Sequence, residues 1–124
     1  MSTFLTPPGR SELVEARVRV ERHVHRTPVL TSSYFDHLIG ASLFFKCENF
    51  QKVGAFKFRG ACNAVISLST EYLERGVVAQ SSGNHAQALA LAASERGTRA
   101  TSVRAENATA IKGAAVRDYG ADVV

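Results

Sequence analysis

The stretch "GVVAQSSGNHAQALALAASERG", residues 76–97, decides the fold class of this chain. Its first five residues form a short apolar run of the kind that becomes a buried strand. The small polar residues that follow, "SSGN", predict a tight turn, and the alanine- and leucine-rich run after them predicts a helix that ends at Gly97. A buried strand that passes through a turn into a helix is typical of α/β proteins with a parallel sheet.

The alternation of strands and helices continues on both sides of this unit. Apolar spacing, breaker residues and aromatic runs predict, in order, a helix at 11–23, an extended segment at 26–30, a helix at 32–40, a strand at 42–48, a helix at 57–68, a strand at 76–80, a helix at 85–97, a strand at 99–103, a helix at 108–120 and a strand from Asp122. From residue 43 onward this pattern predicts an α/β fold, a parallel sheet with flanking helices. Because the last strand has barely begun at Val124, the chain is expected to be the front part of a larger fold.

Charge and composition limit the partners of the chain. The net charge of +4 comes from 15 basic against 11 acidic residues, and the basic residues are scattered and do not interleave with aromatics. A nucleic-acid partner is therefore not expected, although a generic anion-binding or nucleic-acid-binding α/β domain is kept as an alternative. No apolar run has the length of a membrane span, so no membrane partner is expected either.

Cysteine and histidine spacing argue for a cytoplasmic protein without a metal site. Cys47 and Cys62 make neither a metal-ligand spacing nor a disulfide framework, and both are predicted to be reduced core thiols. The N-terminus lacks the basic and apolar regions of a secretory signal. His23 and His25 form a His-x-His pair without a third ligand, so we predict no metal there.

The "SSGN" turn is a candidate anion site. It places the backbone N–H groups of Ser81 to His85 at the start of a helix, where unsatisfied donors and the helix dipole attract negative charge. The alternative is plain helix capping, because serine and asparagine are favoured there for structural reasons alone.

Lys57 stands between Phe56 and Phe58 at the start of its predicted helix. Apolar neighbours and the positive end of a helix dipole both favour the uncharged form of a lysine amine, which can attack a carbonyl and form a Schiff base. The alternative is a lysine whose stem covers apolar surface while its charge reaches water.

Two stretches together, "LFFKCENFQKVGAFKFRGA" (43–61) and "SSGNHAQA" (81–88), resemble the paired motifs of a known family. This is the serine/threonine dehydratase and serine racemase family, pyridoxal-phosphate enzymes of fold type II in the tryptophan-synthase-β-like superfamily. The resemblance implies an incomplete fold type II structure. Residues 1–75 would contribute to the large cofactor domain and residues 76–124 would begin the small α/β domain. The family usually has an apolar residue and a proline where Arg104 and Ala105 stand.

The resemblance implies a cofactor and three residues that meet it. Lys57 is similar to the lysine that carries pyridoxal 5'-phosphate covalently and then moves the Cα proton of the substrate. Phe56 resembles the residue beside the cofactor ring, and Asn84 resembles the partner of its phenolic oxygen. The glycine-rich loop for the cofactor phosphate lies further along in the family, as do the residues for a divalent cation in the full-length protein.

The resemblance also implies an amino-acid substrate, L-serine or L-threonine. Ser81, Gly83 and His85, with the N–H groups around them, would receive the substrate carboxylate. Ser82 matches the serine that acts as acid and base on the opposite face in racemases.

Three functions follow as expectations. The first is part of a pyridoxal-phosphate-dependent L-serine/L-threonine ammonia-lyase, inactive alone and homodimeric at full length, with serine racemase as the runner-up. The second is a truncated, non-catalytic interaction module. The third is the anion-binding or nucleic-acid-binding domain named above.

Overall fold

The computed structural model describes residues 7–81, 83–104 and 110–124, without the side chains of residues 110–112. The helices are α1 (Arg10–Val20), α2 (Ser33–Ile39), α3 (Lys57–Ile66), α4 (Thr70–Arg75), α5 (Asn84–Arg96) and α6 (Ala110–Asp118). The strands are β1 (Val29–Leu30), β2 (Phe45–Lys46), β3 (Val77–Gln80), β4 (Ala100–Val103) and β5 (Asp122–Val123). Two short 3₁₀ turns, Glu48–Phe50 and Lys52–Gly54, lie between β2 and α3. Within the described ranges, no helix has both the length and the apolar character that a membrane span requires.

The second half of the chain forms a parallel sheet in the order β3-β4-β5. Val77 pairs with Ala100 at one edge of the sheet, and Thr101 pairs with Asp122 at the other. Helix α5 connects β3 to β4, and α6 connects β4 to β5. The predicted α/β fold, a parallel sheet with flanking helices, is therefore confirmed.

The strand predicted at 42–48 does not belong to this sheet. Only Phe45–Lys46 is extended, and it pairs antiparallel with β1, so that Val29 faces Lys46. The prediction of one parallel sheet from residue 43 onward was wrong for this strand. Local alternation identifies a strand, but its partner depends on side chains that are distant in sequence.

Helices α3 and α5 pack together through the main core cluster. The members of that cluster on the two helices are Phe58, Ala61, Cys62, Val65, Ala88, Leu89 and Ala92. Phe58 is fully buried and is the largest side chain in this interface. The packing fixes the helix that begins with Lys57 against the helix that follows the "SSGN" turn. This cluster contains residues from before and after the domain boundary that was predicted between residues 75 and 76. The boundary itself stays a prediction.

Arg104 directly follows the end of β4. Its backbone N–H donates to the carbonyl oxygen of Val124 at 2.8 Å. Its guanidinium occupies the space beside Gly113, where an added Cβ would collide with it. Ala105 lies outside the described residues.

Candidate functional site

Lys57 presents its amine to solvent at the first residue of α3. Its Nζ lies 5.2 Å from the centroid of the Phe56 ring, which is itself 60% exposed. Within the described parts of the chain, no carboxylate makes an ion pair with this amine. The amine is therefore accessible to a ligand that enters from solvent.

The two aromatic neighbours of Lys57 do not both shield it. Phe58 points into the core, where its ring centroid lies 5.1 Å from Nζ of Lys52. Successive residues on a helix point about 100° apart, so a neighbour of Lys57 in sequence faces a different side. The expectation that both phenylalanines desolvate Lys57 was wrong, and only Phe56 lies beside the amine.

A cleft of about 300 Å³ opens beside Lys57, between α3 and the start of α5. Its lining residues are Phe56, Lys57, Gly60, Ala61, Ala64, His85 and Leu89. A Cβ added at Gly60 would meet no heavy atom within 4 Å, so this wall leaves open space for a ligand. The volume lies at the lower end of the range for small-molecule sites. The structure thus brings Phe56, Lys57 and His85 together in one cleft.

Ser81 and Gly83 lie just before α5, Asn84 is its first residue, and none of the three lines this cleft. The Ser81 hydroxyl accepts a hydrogen bond from the Gly83 N–H at 3.3 Å, and the Ser81 carbonyl accepts one from the Ser102 hydroxyl at 2.9 Å. Asn84 is exposed at the first position of α5. Ser82, the predicted second acid and base, lies outside the described residues.

The N-cap residue of α5 is a glycine, which has no side chain to bond to the first N–H groups of the helix. Gly83 occupies the N-cap position and provides no side-chain hydrogen bond to the helix. The first N–H groups of a helix have no partner within the helix, and they attract anions. The alternative that "SSGN" only caps the helix stays a prediction, because Ser82 lies outside the described residues.

These residues fit part of pyridoxal phosphate. The exposed amine of Lys57 suits the aldehyde group, the Phe56 ring suits the flat face of the cofactor, and the start of α5 suits an anion. The nine glycines of the chain are dispersed and form no glycine-rich phosphate loop. The chain therefore contains a candidate amine for the aldehyde group of the cofactor but no glycine-rich loop for its phosphate group.

A polar network around Arg59, two residues after Lys57, was not predicted from the sequence. Arg59 donates two hydrogen bonds to the Glu48 carboxylate, from Nε to Oε2 at 2.9 Å and from Nη2 to Oε1 at 2.8 Å. The Thr27 hydroxyl donates to the same Oε1 at 2.6 Å. A signal was available in the sequence, because an arginine in the first turn of a helix opposes the helix dipole and calls for a nearby carboxylate.

The network strongly favours the charged forms of both partners. The hydrogen bond from Arg59, assisted by that from Thr27 and opposed by burial, lowers the pKa of Glu48 from its ordinary 4.5 to about 2. The same hydrogen bond raises the pKa of Arg59 above its ordinary value. At neutral pH, this is a charged pair with a fixed fork geometry.

A larger cleft, of about 570 Å³, lies on the other side of this network. Its lining includes the ionisable residues Arg17, Glu21, Arg22, His25, Arg26, Lys46 and Arg59. Arg59 is bound to Glu48, and Lys46 donates to the Thr27 carbonyl at 2.7 Å. The smaller cleft is the better candidate site because it contains the accessible amine and His85.

The histidine pair predicted not to bind metal lies near this network. His25 Nδ1 is 3.0 Å from the Phe50 carbonyl oxygen, and the side chain of His23 is exposed. Across the described ranges, no three His, Cys, Asp or Glu side chains are grouped so that they would hold a metal ion.

Comparison with known proteins places these motifs in a family. Residues 20–124 match the family described as pyridoxal-phosphate dependent enzyme. The chain is 50% identical over 112 residues to serine racemase from Dictyostelium discoideum, covering 90% of this chain and 35% of that protein. It is also 50% identical over 117 residues to L-threo-3-hydroxyaspartate ammonia-lyase from Saccharomyces cerevisiae, covering 94% of this chain and 36% of that protein.

Solved structures agree with the sequence relatives. The crystal structure of the Dictyostelium discoideum serine racemase matches with a TM-score of 0.88, over 90% of this chain and 37% of that one. The crystal structure of threonine deaminase from T.th. matches with a TM-score of 0.84 at 43% identity, over 94% of this chain and 36% of that one. The resemblance drawn from the two motifs is confirmed, and the chain spans about a third of the length of the curated relatives it matches. The chain belongs to the family of pyridoxal-phosphate dependent enzymes, in the branch that contains serine racemases, hydroxyaspartate ammonia-lyases and threonine deaminases.

Proposed function

We propose that this chain forms the lysine-bearing part of an ammonia-lyase that converts L-serine and L-threonine to a 2-oxo acid and ammonia. The observation that carries the proposal is the cleft in which the exposed amine of Lys57 and the side chain of His85 lie together. We further propose that the 124 residues alone do not turn over substrate. The chain spans about a third of its relatives and has no glycine-rich phosphate loop.

Lys57 is proposed to act twice. Its amine would hold pyridoxal phosphate through the aldehyde group of the cofactor, and the same amine would take the proton from the substrate Cα. Bound pyridoxal phosphate supplies an electron sink for the charge that this proton leaves behind. Phe56 would lie beside the cofactor ring, and Asn84 would bind the cofactor through its side-chain amide. Exposure of the Lys57 amine and its 5.2 Å distance from the Phe56 ring support the roles of Lys57 and Phe56.

The start of α5 is proposed to bind the substrate carboxylate. The N–H groups beside Gly83, together with His85 and the hydroxyl of Ser81, present donors that favour an anion. The glycine at the N-cap of α5, which has no side chain of its own to bond to the first N–H groups, supports this role. A carboxylate held there would keep the substrate Cα near the Lys57 side of the cleft.

Serine racemase is the second candidate, because relatives with that name are 45–54% identical to this chain. Racemisation needs a proton donor on the face opposite Lys57, and we propose the Ser82 hydroxyl for that step. Replacing Ser82 with alanine in the full-length protein separates the candidates. A racemase would lose formation of D-serine, whereas an ammonia-lyase would keep formation of the 2-oxo acid.

A non-catalytic interaction module is the third candidate, and the surface of residues 29–50 favours it. Large apolar side chains are exposed there, including Tyr34 at 71%, Leu38 at 65% and Phe44 at 71%. Exposed apolar surface of this extent marks an interaction site or an aggregation hazard. A soluble monomer that captures one specific partner would support this candidate.

A cytoplasmic location and a full-length homodimer complete the proposal, the latter from the family resemblance alone. Cys47 and Cys62 are both free thiols, which suits a reducing compartment.

The first experiment tests Lys57 directly. The purified chain is mixed with pyridoxal phosphate, reduced with borohydride and digested, and the labelled peptides are mapped. Lys57→Ala removes the proposed target, and Lys52→Ala is the matched control, because its amine is paired with Glu95. Label concentrated on Lys57, lost in Lys57→Ala and kept in Lys52→Ala, is the expected result.

Label spread evenly over the lysines, and unchanged in Lys57→Ala, would refute a working half-site in this chain. Assays of the full-length protein on L-serine, L-threonine and L-threo-3-hydroxyaspartate then decide the substrate. The third substrate is included because relatives carry its name.

A further inference from the structure

We propose that Glu48, Arg59 and Thr27 form a clamp that positions Lys57 by fixing the first turn of α3. The inference rests on the proposed function of Lys57 and adds positioning residues to it. None of the three clamp residues lines the Lys57 cleft. They would therefore act on the amine through the backbone.

The clamp and the amine lie on different sides of one helix turn. Arg59 follows Lys57 by two residues in α3, and helix residues two apart do not face each other. Arg59 reaches back to Glu48 and Thr27, whereas Lys57 faces the cleft that it shares with His85. A fork that holds Arg59 in place therefore sets the direction in which Lys57 points.

The clamp is joined to a second set of hydrogen bonds, which surround the backbone of His25. Arg59 Nη2 also donates to the carbonyl oxygen of His25 at 3.1 Å. The Gln51 side chain accepts from the N–H of His25 at 2.9 Å and donates to its carbonyl oxygen at 2.8 Å. Thr27 and Gln51 are only 4% and 3% exposed. Fully paired polar groups in a buried position hold one arrangement, because any other leaves donors or acceptors without partners.

Apart from the packing of Phe58, few contacts hold the first turn of α3. Phe56, at the N-cap, makes no side-chain hydrogen bond, and the first backbone bonds are Phe58 N–H to Ala55 at 3.3 Å and Arg59 N–H to Phe56 at 3.1 Å. In the 3₁₀ turn before them, Val53 has a φ of 56°, a left-handed conformation that is unfavourable for a β-branched residue. A helix start with these features depends on contacts made from outside the helix.

The chain contains a matched control for the clamp. Glu71 and Arg75 make an ion pair of the same residue types within α4, with side chains 69% and 68% exposed. The side chains of Glu48 and Arg59 are 19% and 33% exposed. Exposed pairs on one helix contribute little, so Glu71→Gln removes the same chemistry without the proposed positioning.

The test combines amide hydrogen exchange with the rate of pyridoxal phosphate labelling at Lys57. Glu48→Gln removes one charge of the clamp, and Arg59→Lys keeps the charge but loses the fork. Thr27→Val removes only a hydroxyl and is the mildest variant, and Thr27→Ser restores that hydroxyl. We expect Glu48→Gln, Arg59→Lys and Thr27→Val to speed hydrogen exchange at the backbone amides of residues 58 and 59 about tenfold. The same variants should slow the labelling of Lys57 by a similar factor. Thr27→Ser and Glu71→Gln should change neither quantity.

Two results would overturn the clamp. One is unchanged exchange at the Phe58 and Arg59 amides in every clamp variant. The other is faster exchange spread equally over α3 and α5, which would mean that the network only adds global stability. If the unmodified chain shows no preferred labelling at Lys57, the proposed function fails. The exchange measurements need no cofactor, so they decide the clamp in either case.

Discussion

Lys52 joins the turn before Lys57 to helix α5 by reaching two partners at once. Its Nζ lies 2.6 Å from the carboxylate of Glu95 and 5.1 Å from the centroid of the buried Phe58 ring. The side chains of Lys52 and Glu95 are 25% and 33% exposed, so water screens this pair less than one on the open surface. The turn that precedes Lys57 and the helix that follows the "SSGN" turn are thus linked by charge as well as by apolar packing.

We therefore expect Lys52 and Glu95 to be coupled energetically. Replacing each with alanine, singly and together, should give a coupling free energy of about 0.5–1 kcal/mol in urea unfolding. The coupling should weaken as salt is added, because screening acts on charges that water can reach. Single-variant effects that simply add in the double variant would show that the contact is not energetically coupled.

Phe58 and Phe56 should contribute very differently to the free energy of unfolding. Phe58→Ala should lower the free energy of unfolding by about 3–5 kcal/mol, because the ring is fully buried between α3 and α5. Phe56→Ala should change it by no more than about 0.5 kcal/mol, because that ring is mostly exposed. Chemical unfolding of both variants checks this, and equal losses would contradict the assignment of one ring to the core and the other to the cleft.

Acid should weaken the fold through Glu48. Arg59, Thr27 and Lys46 face this carboxylate and help to hold its pKa at about 2, below the ordinary 4.5. Because the folded state has the lower pKa, the stabilisation is fully present above pH 4.5 and is lost as the pH falls from there to about 2.

The variant Glu48→Gln tests this pH dependence. At pH 7 it should be less stable than the unmodified chain by about 1.5 kcal/mol or more, because it loses hydrogen bonds to a charged group. The difference should shrink as the pH approaches 2. A difference that stays constant between pH 7 and pH 3 would show that the Glu48 carboxylate does not titrate as described.

The two thiols should react at very different rates. Both were predicted to be core thiols, but only Cys62 is buried, whereas Cys47 is half-buried. Burial, together with the charge of Glu95, raises the pKa of the Cys62 thiol, and the thiolate is the reactive form. A thiol reagent at neutral pH should modify Cys47 in the folded chain and reach Cys62 only after denaturant is added. Cys47→Ser should then leave no fast thiol, and fast modification of Cys62 in that variant would contradict the packing of α3 on α5.

The sequence predicted best the long helix α5 and the apolar strands on either side of it. The helix expected at 85–97 is α5, Asn84–Arg96, and the strands expected at 76–80 and 99–103 are β3 and β4, each within one residue. Helix α4, Thr70–Arg75, was not predicted, because six residues are too few to show a helical period. Helix α1 was expected to reach His23 but ends at Val20.

The site was only partly predictable for a related reason. Lys57 stood out because its chemistry and its neighbours are adjacent in sequence. The partners of Arg59 come from segments 11 and 32 residues away, so the sequence around Arg59 indicates that a carboxylate is needed but not which one. The different directions of Phe56 and Phe58 depended on where α3 begins, and helix ends are the least certain feature of a sequence pattern.

Because Val53 has a left-handed conformation, a short peptide cannot reproduce the geometry of the turn before Lys57. A β-branched residue avoids this region when the chain is free to choose, so the turn keeps its shape only inside the folded protein. A synthetic peptide of residues 48–60 would therefore contain every side chain of the turn but not its geometry. Grafting this lysine into another protein would require the segment at residues 25–27, to which Gln51 and Arg59 donate hydrogen bonds, and the face of α5 as well, because the site depends on the folded chain and not on its motif alone.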